Sequence, residues 1–134
     1  MSALFDNHPL PLWTVIPSCL LVAIYTLLSW LAFTNQVFFF ESMTIPVPEH
    51  FFMIWSWGGK NTAMIVVIAL SALSRRALPL AMACAMLLTG QIGDINAGLR
   101  TNVNVFVTWI ALAVTLAQML ALYVALAARV RGSR

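Results

Sequence analysis

Long apolar runs alternate along the chain with short clusters of proline, asparagine and charge, and this alternation predicts four helices. The first run spans residues 13–33, opened by Pro9, Pro11 and Trp13, and its interior from Cys19 to Phe33 carries no charge. A connection from Thr34 to about His50 follows, holding Phe38, Phe39, Phe40, Glu41, Pro46 and Pro48. Proline fixes its own φ and turns its predecessor away from helix, so this stretch is expected to be extended or turned. The second run, 51–73, has an unusual first half with Trp55, Trp57, Gly58, Gly59, Lys60 and Asn61, and ends at Ser74, Arg75 and Arg76. The third, 78–99, carries Thr89, Gly90, Gln91, Gly93, Asp94 and Asn96 in its later half. Arg100, Asn102 and Asn104 make the next turn before the last run, 105–128, which Arg129, Arg131 and Arg134 follow at once.

Each run is long enough to cross a hydrocarbon layer about 30 Å thick. Composition supports that use: 62% of the 134 residues are hydrophobic and 8% are charged, against about 25% charged in a soluble domain. The expected class is therefore all-α, a single integral-membrane domain over residues 1–134 folded as a four-helix bundle in the lipid bilayer. The net charge of +3 rests on 7 basic residues, too few for a nucleic-acid groove, and no basic stripe interleaves with aromatics. Their placement speaks instead to orientation. Arg75, Arg76, Arg129, Arg131 and Arg134 share one side with the amino terminus, and Arg100 lies opposite, so both termini are expected to be cytoplasmic in a bacterial inner membrane. No basic segment precedes the first run and no convincing cleavage site follows it, so it is expected to persist as a helix.

Charged residues within such spans cost about 2.5 to 3.5 kcal/mol each at the centre, and two remain inside: Lys60 and Asp94. Counting from the outer ends puts Lys60 about 15 Å deep and Asp94 roughly 8 Å deep, on helices joined by a short turn and hence antiparallel neighbours. A pairing is geometrically open to them. Ser56, Lys60 and Met64 share one face of the second helix and Trp57 and Asn61 another; on the third, Gly90, Asp94 and Gly98 share a face with Gln91 beside it. The sequence thus outlines an outward-facing polar pocket of Trp55, Trp57, Lys60, Asn61, Gln91, Asp94 and Asn96, with Glu49 and His50 at its outer mouth. The plainer alternative is a structural ion pair, with Gly58 and Gly59 serving helix packing.

Other chemistry is weaker. Cys19 and Cys84 fit small core residues at similar depth, without a Cys-x-x-Cys spacing. His8 and His50 fall on opposite sides and Glu41, Glu49 and His50 lack helical metal-site spacing, so no metal is expected. Gln118, midway along the last span, suits interhelical bonding, and no phosphate loop, serine triad or haem-attachment motif is present.

Gly59-Lys60-Asn61, an apolar half-span, Arg75-Arg76, a second apolar half-span and Gly90 to Asp94 resemble the central hairpin of small bacterial four-helix membrane proteins of the DoxX-like group and its uncharacterised relatives. The likeness covers residues 55–100, with Lys60 where the group more often has Arg. It implies a four-helix bundle and a paired Lys60 and Asp94, in a group some of whose members are tied to redox or quinone-linked membrane complexes. By contrast, small multidrug transporters resemble a pattern with a Glu in the first span, which this chain lacks.

The function expected is the binding of a small amphipathic or lipid-like ligand, a quinone among the candidates, or service as an accessory subunit beside a membrane partner or further copies of the chain. No cofactor is required by the sequence. Two alternatives stay open: a membrane enzyme in which Lys60 and Asp94 act as catalytic base and acid on a lipid-like substrate, and a small transporter component gated by the same pair.

Overall fold

A computed structural model describes residues 8–34, 48–101 and 106–132, with side chains throughout except at 48–53 and 101. A short 3₁₀ turn, Leu12–Val15, leads into α1, Ile16–Phe33, followed by α2, Pro48–Ser74, α3, Ala77–Thr101, and α4, Phe106–Gly132. The chain is all-α, and the four helices match the four apolar runs. Several boundaries shift by a few residues from expectation, two of them for a plain physical reason. Helix α2 begins at Pro48 instead of Phe51, because proline is well suited to a first turn. Helix α4 continues past Ala128 to Gly132, so Arg129 and Arg131 occupy its last turn, where cations complement the exposed carbonyls. The residues between Thr34 and Pro48, which include Phe38 to Phe40 and Glu41, lie outside the described residues, as do Asp6, Asn102, Asn104 and Arg134.

Three segments, Leu12–Phe33, Ala77–Arg100 and Phe106–Gly132, are long and apolar enough to cross a membrane. Helix α2 equals α4 in length at 27 residues but is not among them. Ser56, Gly58, Gly59, Lys60 and Asn61 interrupt its apolar run, so of the four spans expected, three meet that standard and the fourth is the helix whose first half is unusually polar in the sequence.

The helices pack in a ring, α1 on α2, α2 on α3, α3 on α4 and α4 on α1, and their contacts alternate in direction. Ser29 of α1 meets Gly58 near the start of α2, while Ser18 meets Gln118 in the later half of α4. Buried positions recur at intervals of three and four: Ser18, Leu21, Tyr25, Leu28 and Ala32 on α1, and Ala111, Thr115, Gln118, Leu122 and Ala125 on α4. This is the spacing of a helix face turned toward a common core. Leu21, Tyr25, Leu28, Ile68 and Leu87 form the central core. Leu10, Ala77, Leu80, Leu122 and Ala125 form a second core toward the α2–α3 turn. Leu20, Leu27, Leu70, Leu116 and Leu120 point outward and are exposed, as a lipid-facing surface requires.

The end of the bundle near the α2–α3 turn is tied down by arginines. Arg75 closes α2 with a left-handed φ of 50°, a conformation that usually favours glycine. Its own contacts hold it there: Leu10 N donates to Arg75 O at 2.7 Å, and Arg75 Nε donates to Leu10 O at 2.8 Å, with Nη2 on the same carbonyl. Arg129 Nη2 donates to His8 O and Pro9 O at 3.0 and 2.8 Å. These residues, read from the sequence only as orientation signals, therefore also anchor the segment before α1.

Candidate functional site

At the opposite half of the bundle α2 and α3 bring the two intramembrane charges together. Lys60 Nζ donates to Asp94 Oδ1 at 2.5 Å and to Oδ2 at 2.7 Å, a two-pronged charge-assisted contact. The pair stands at the bundle margin, with side chains 36% and 29% exposed.

Inward from Lys60, the next residue of α2 enters the core. Asn61 is 1% exposed, and neither its Nδ2 nor its Oδ1 has a hydrogen-bond partner among the described residues. On α3 the corresponding inward group is Gln91, one turn before Asp94 and also 1% exposed. Gln91 Nε2 donates to Tyr25 Oη at 3.1 Å and to Thr115 Oγ1 at 2.9 Å. Thr115 Oγ1 donates to Ala111 O at 2.9 Å and accepts from Gln91. With the amide so oriented, Gln91 Oε1, also buried, has no partner among the described residues. An unpaired buried amide costs about 1–3 kcal/mol, which makes this concentration of unmet hydrogen-bonding capacity unusual.

The wall toward α1 is close and fixed. A Cβ added at Gly58 would lie 3.0 Å from Ala32 Cβ and 3.3 Å from Phe33 Cζ, so only glycine lets α1 and α2 approach here. Gly59, by contrast, faces nothing within 4 Å. Thr62 Oγ1 lies 3.0 Å from Gly58 O and 3.3 Å from Ser29 Oγ, linking the same two helices.

The structure distributes the residues expected at the site over three places. Lys60 and Asp94 are in contact, and Asn61 and Gln91 lie on the core side of the same level. Trp57 is half-buried and packs on the central core. Trp55 is 52% exposed on the outer surface. Asn96 is exposed and its Oδ1 accepts from Arg100 Nε at 3.2 Å, so its side-chain oxygen serves its own helix. Glu49 and His50 fall in the first turn of α2, and their side chains lie outside the described residues. Both cysteines are free; Cys84 is buried in the core as expected, but Cys19 is exposed on the outward face of α1. Tyr25 and Thr115 complete the polar level and were not singled out from the sequence. Their signal was periodicity: Ser18, Tyr25 and Ser29 fall on one stripe of an otherwise apolar α1, as do Thr115 and Gln118 on α4.

Fold and site together define a small multi-span helical membrane protein, with candidate spans that imply a lipid bilayer. No family model matches the chain, and neither a curated protein nor a solved structure does.

Proposed function

We propose that this chain is a four-span inner-membrane protein with both ends in the cytoplasm, and that it binds a small amphipathic molecule between α2 and α3. The clustering of Arg75, Arg76, Arg129 and Arg131 at one end, with Arg100 at the other, supports that orientation. Helix α2 would complete the set of spans by turning its polar face toward the other helices and its apolar residues Val66 and Leu70, both exposed, toward lipid. The loose likeness to the DoxX-like group is consistent with this architecture.

The observation that carries the binding reading is Asn61: a fully buried amide with no partner among the described residues, adjoining an ion pair that is one-third exposed. A ligand head placed there would meet the Lys60 ammonium and the Asn61 amide, with Trp57 alongside. The tail would lie against the apolar outer surface. Native mass spectrometry of the purified protein tests this. A co-purifying lipid-like molecule retained by the wild type and lost by a folded Lys60→Met variant is the expected result; no bound molecule in either would refute the reading.

A second reading, an ion pair that only locks α2 to α3, is favoured by the two short contacts of Lys60 on Asp94. It predicts no bound molecule.

A further inference from the structure

The orphaned atoms specify more than a location. Three groups at one level of the core are in question: Asn61 Nδ2, Asn61 Oδ1 and Gln91 Oε1. Their shared level follows from the contacts around them. Lys60 pairs with Asp94, and the Met64 methyl lies 3.8 Å from where a Gly90 Cβ would stand. Residues 60–64 of α2 therefore run beside residues 94–90 of α3, placing Asn61 and Gln91 within about one turn of each other along the bundle. The outstanding capacity comprises one amide NH₂, which needs acceptors, and two carbonyl oxygens, which need donors.

That inventory discriminates among ligand chemistries. A carboxylate or phosphate offers only acceptors to two unmet carbonyl oxygens, and the Lys60–Asp94 pair, neutral as a whole, leaves its charge uncompensated. A ketone or quinone carbonyl can take a bond from Asn61 Nδ2 but leaves both oxygens unpaired. A cation can serve the two oxygens but not Asn61 Nδ2, and the neutral Lys60–Asp94 pair leaves its charge uncompensated. A neutral hydroxyl donates its proton to one of the two oxygens and accepts from Asn61 Nδ2, so it alone among these heads both donates and accepts here with no buried charge, leaving one oxygen unpaired.

We infer that the head group bound at this level is a neutral hydroxyl, that of an amphipathic alcohol or phenol, a reduced quinone included, held by Asn61 and Gln91 with the Lys60–Asp94 pair at its edge. The inference rests on the binding reading above and names the ligand class for the same site. Tyr25 and Thr115 are positioning residues here: by taking both protons of Gln91 Nε2 they turn Oε1 toward the ligand.

The full-length protein in detergent micelles, with ¹⁵N-labelled side-chain amides, provides the test. The probes are dodecan-1-ol, its methyl ether and dodecanoate. Saturable shifts of the Asn61 and Gln91 amide signals with dodecan-1-ol, and an affinity at least about tenfold weaker for the other two, are expected. Asn61→Leu should abolish the Gln91 shift, and Asn61→Ser serves if the leucine variant does not fold. Equal or tighter binding of the ether or dodecanoate would overturn the hydroxyl assignment while leaving the binding site standing. No saturable shift with any probe, together with transfer of magnetisation from water to Asn61, would assign the position to water and overturn both.

Discussion

Gln118 and Asn61 are both carboxamides, each 1% exposed, in a bundle whose core is otherwise largely aliphatic. Their circumstances are opposite. Gln118 Oε1 accepts from Ser18 Oγ at 2.7 Å and its Nε2 donates to Thr14 O at 2.6 Å, so both ends of the amide are engaged. Asn61 has no bond at either end among the described residues. The same division separates the halves of the molecule. Toward the α2–α3 turn, arginines and Gln118 knit α1, α4 and the segment before α1 together, with Arg129 Nη1 the one buried side-chain atom there left without a partner among the described residues; toward Lys60 and Asp94, both ends of the Asn61 amide and the oxygen of Gln91 stand unmatched. A polar group that is matched within the fold holds helices together. One that is not matched is costly to folding, and the proposed ligand would supply the partner it lacks.

The largest expected effect comes from breaking the ion pair of the unmatched half. Lys60→Met alone, or Asp94→Asn alone, should cost about 1–3 kcal/mol, between the limits for exposed and fully buried pairs because both side chains are about one-third exposed. If the pair is only a lock, the double variant is milder than either single change, and a denaturation cycle in mixed micelles reads the coupling directly. If the pair also serves the ligand, the double variant regains stability but not ligand retention.

A smaller effect sharpens where the wall of that half is rigid. Gly58→Ala should destabilise by about 1–2 kcal/mol, because the new methyl would press on Ala32 and Phe33. Gly59→Ala, with nothing within 4 Å, should stay within about 0.5 kcal/mol of wild type in thermal unfolding. Equal costs at the two positions would mean that the α1–α2 contact is not as close as described.

These contrasts bear on what a single sequence can disclose. The helices were legible because apolar runs of span length admit few alternatives, and Lys60 and Asp94 were legible because charge is so scarce that two residues stood out. The antiparallel turn at Arg75 and Arg76 then implied their contact. Facing was harder. Trp55 and Trp57 sit two residues apart, nearly 200° around a helix, so only one of them could line a pocket, and a count of aromatic residues does not choose. Asn96 was placed in the pocket for its depth, but its position on α3 turns it outward to Arg100. The Arg75 and Arg129 anchors were hidden for another reason: they bind main-chain carbonyls of residues 8–10, and carbonyl acceptors leave no mark in a sequence. Gly58 and Gly59 look interchangeable on paper, and only the approach of α1 separates them.

The comparison of the two amides is also the most direct test. Thermal unfolding of Gln118→Leu and Asn61→Leu should be measured in the same detergent, after washing that removes bound lipid. The account predicts that Gln118→Leu costs about 1 kcal/mol, leaving Ser18 and Thr14 without their partner, whereas Asn61→Leu is neutral or stabilising, since it removes no bond and ends an unmet demand. A loss of stability for Asn61→Leu equal to that of Gln118→Leu would contradict it, for Asn61 would then be a structural amide like the other.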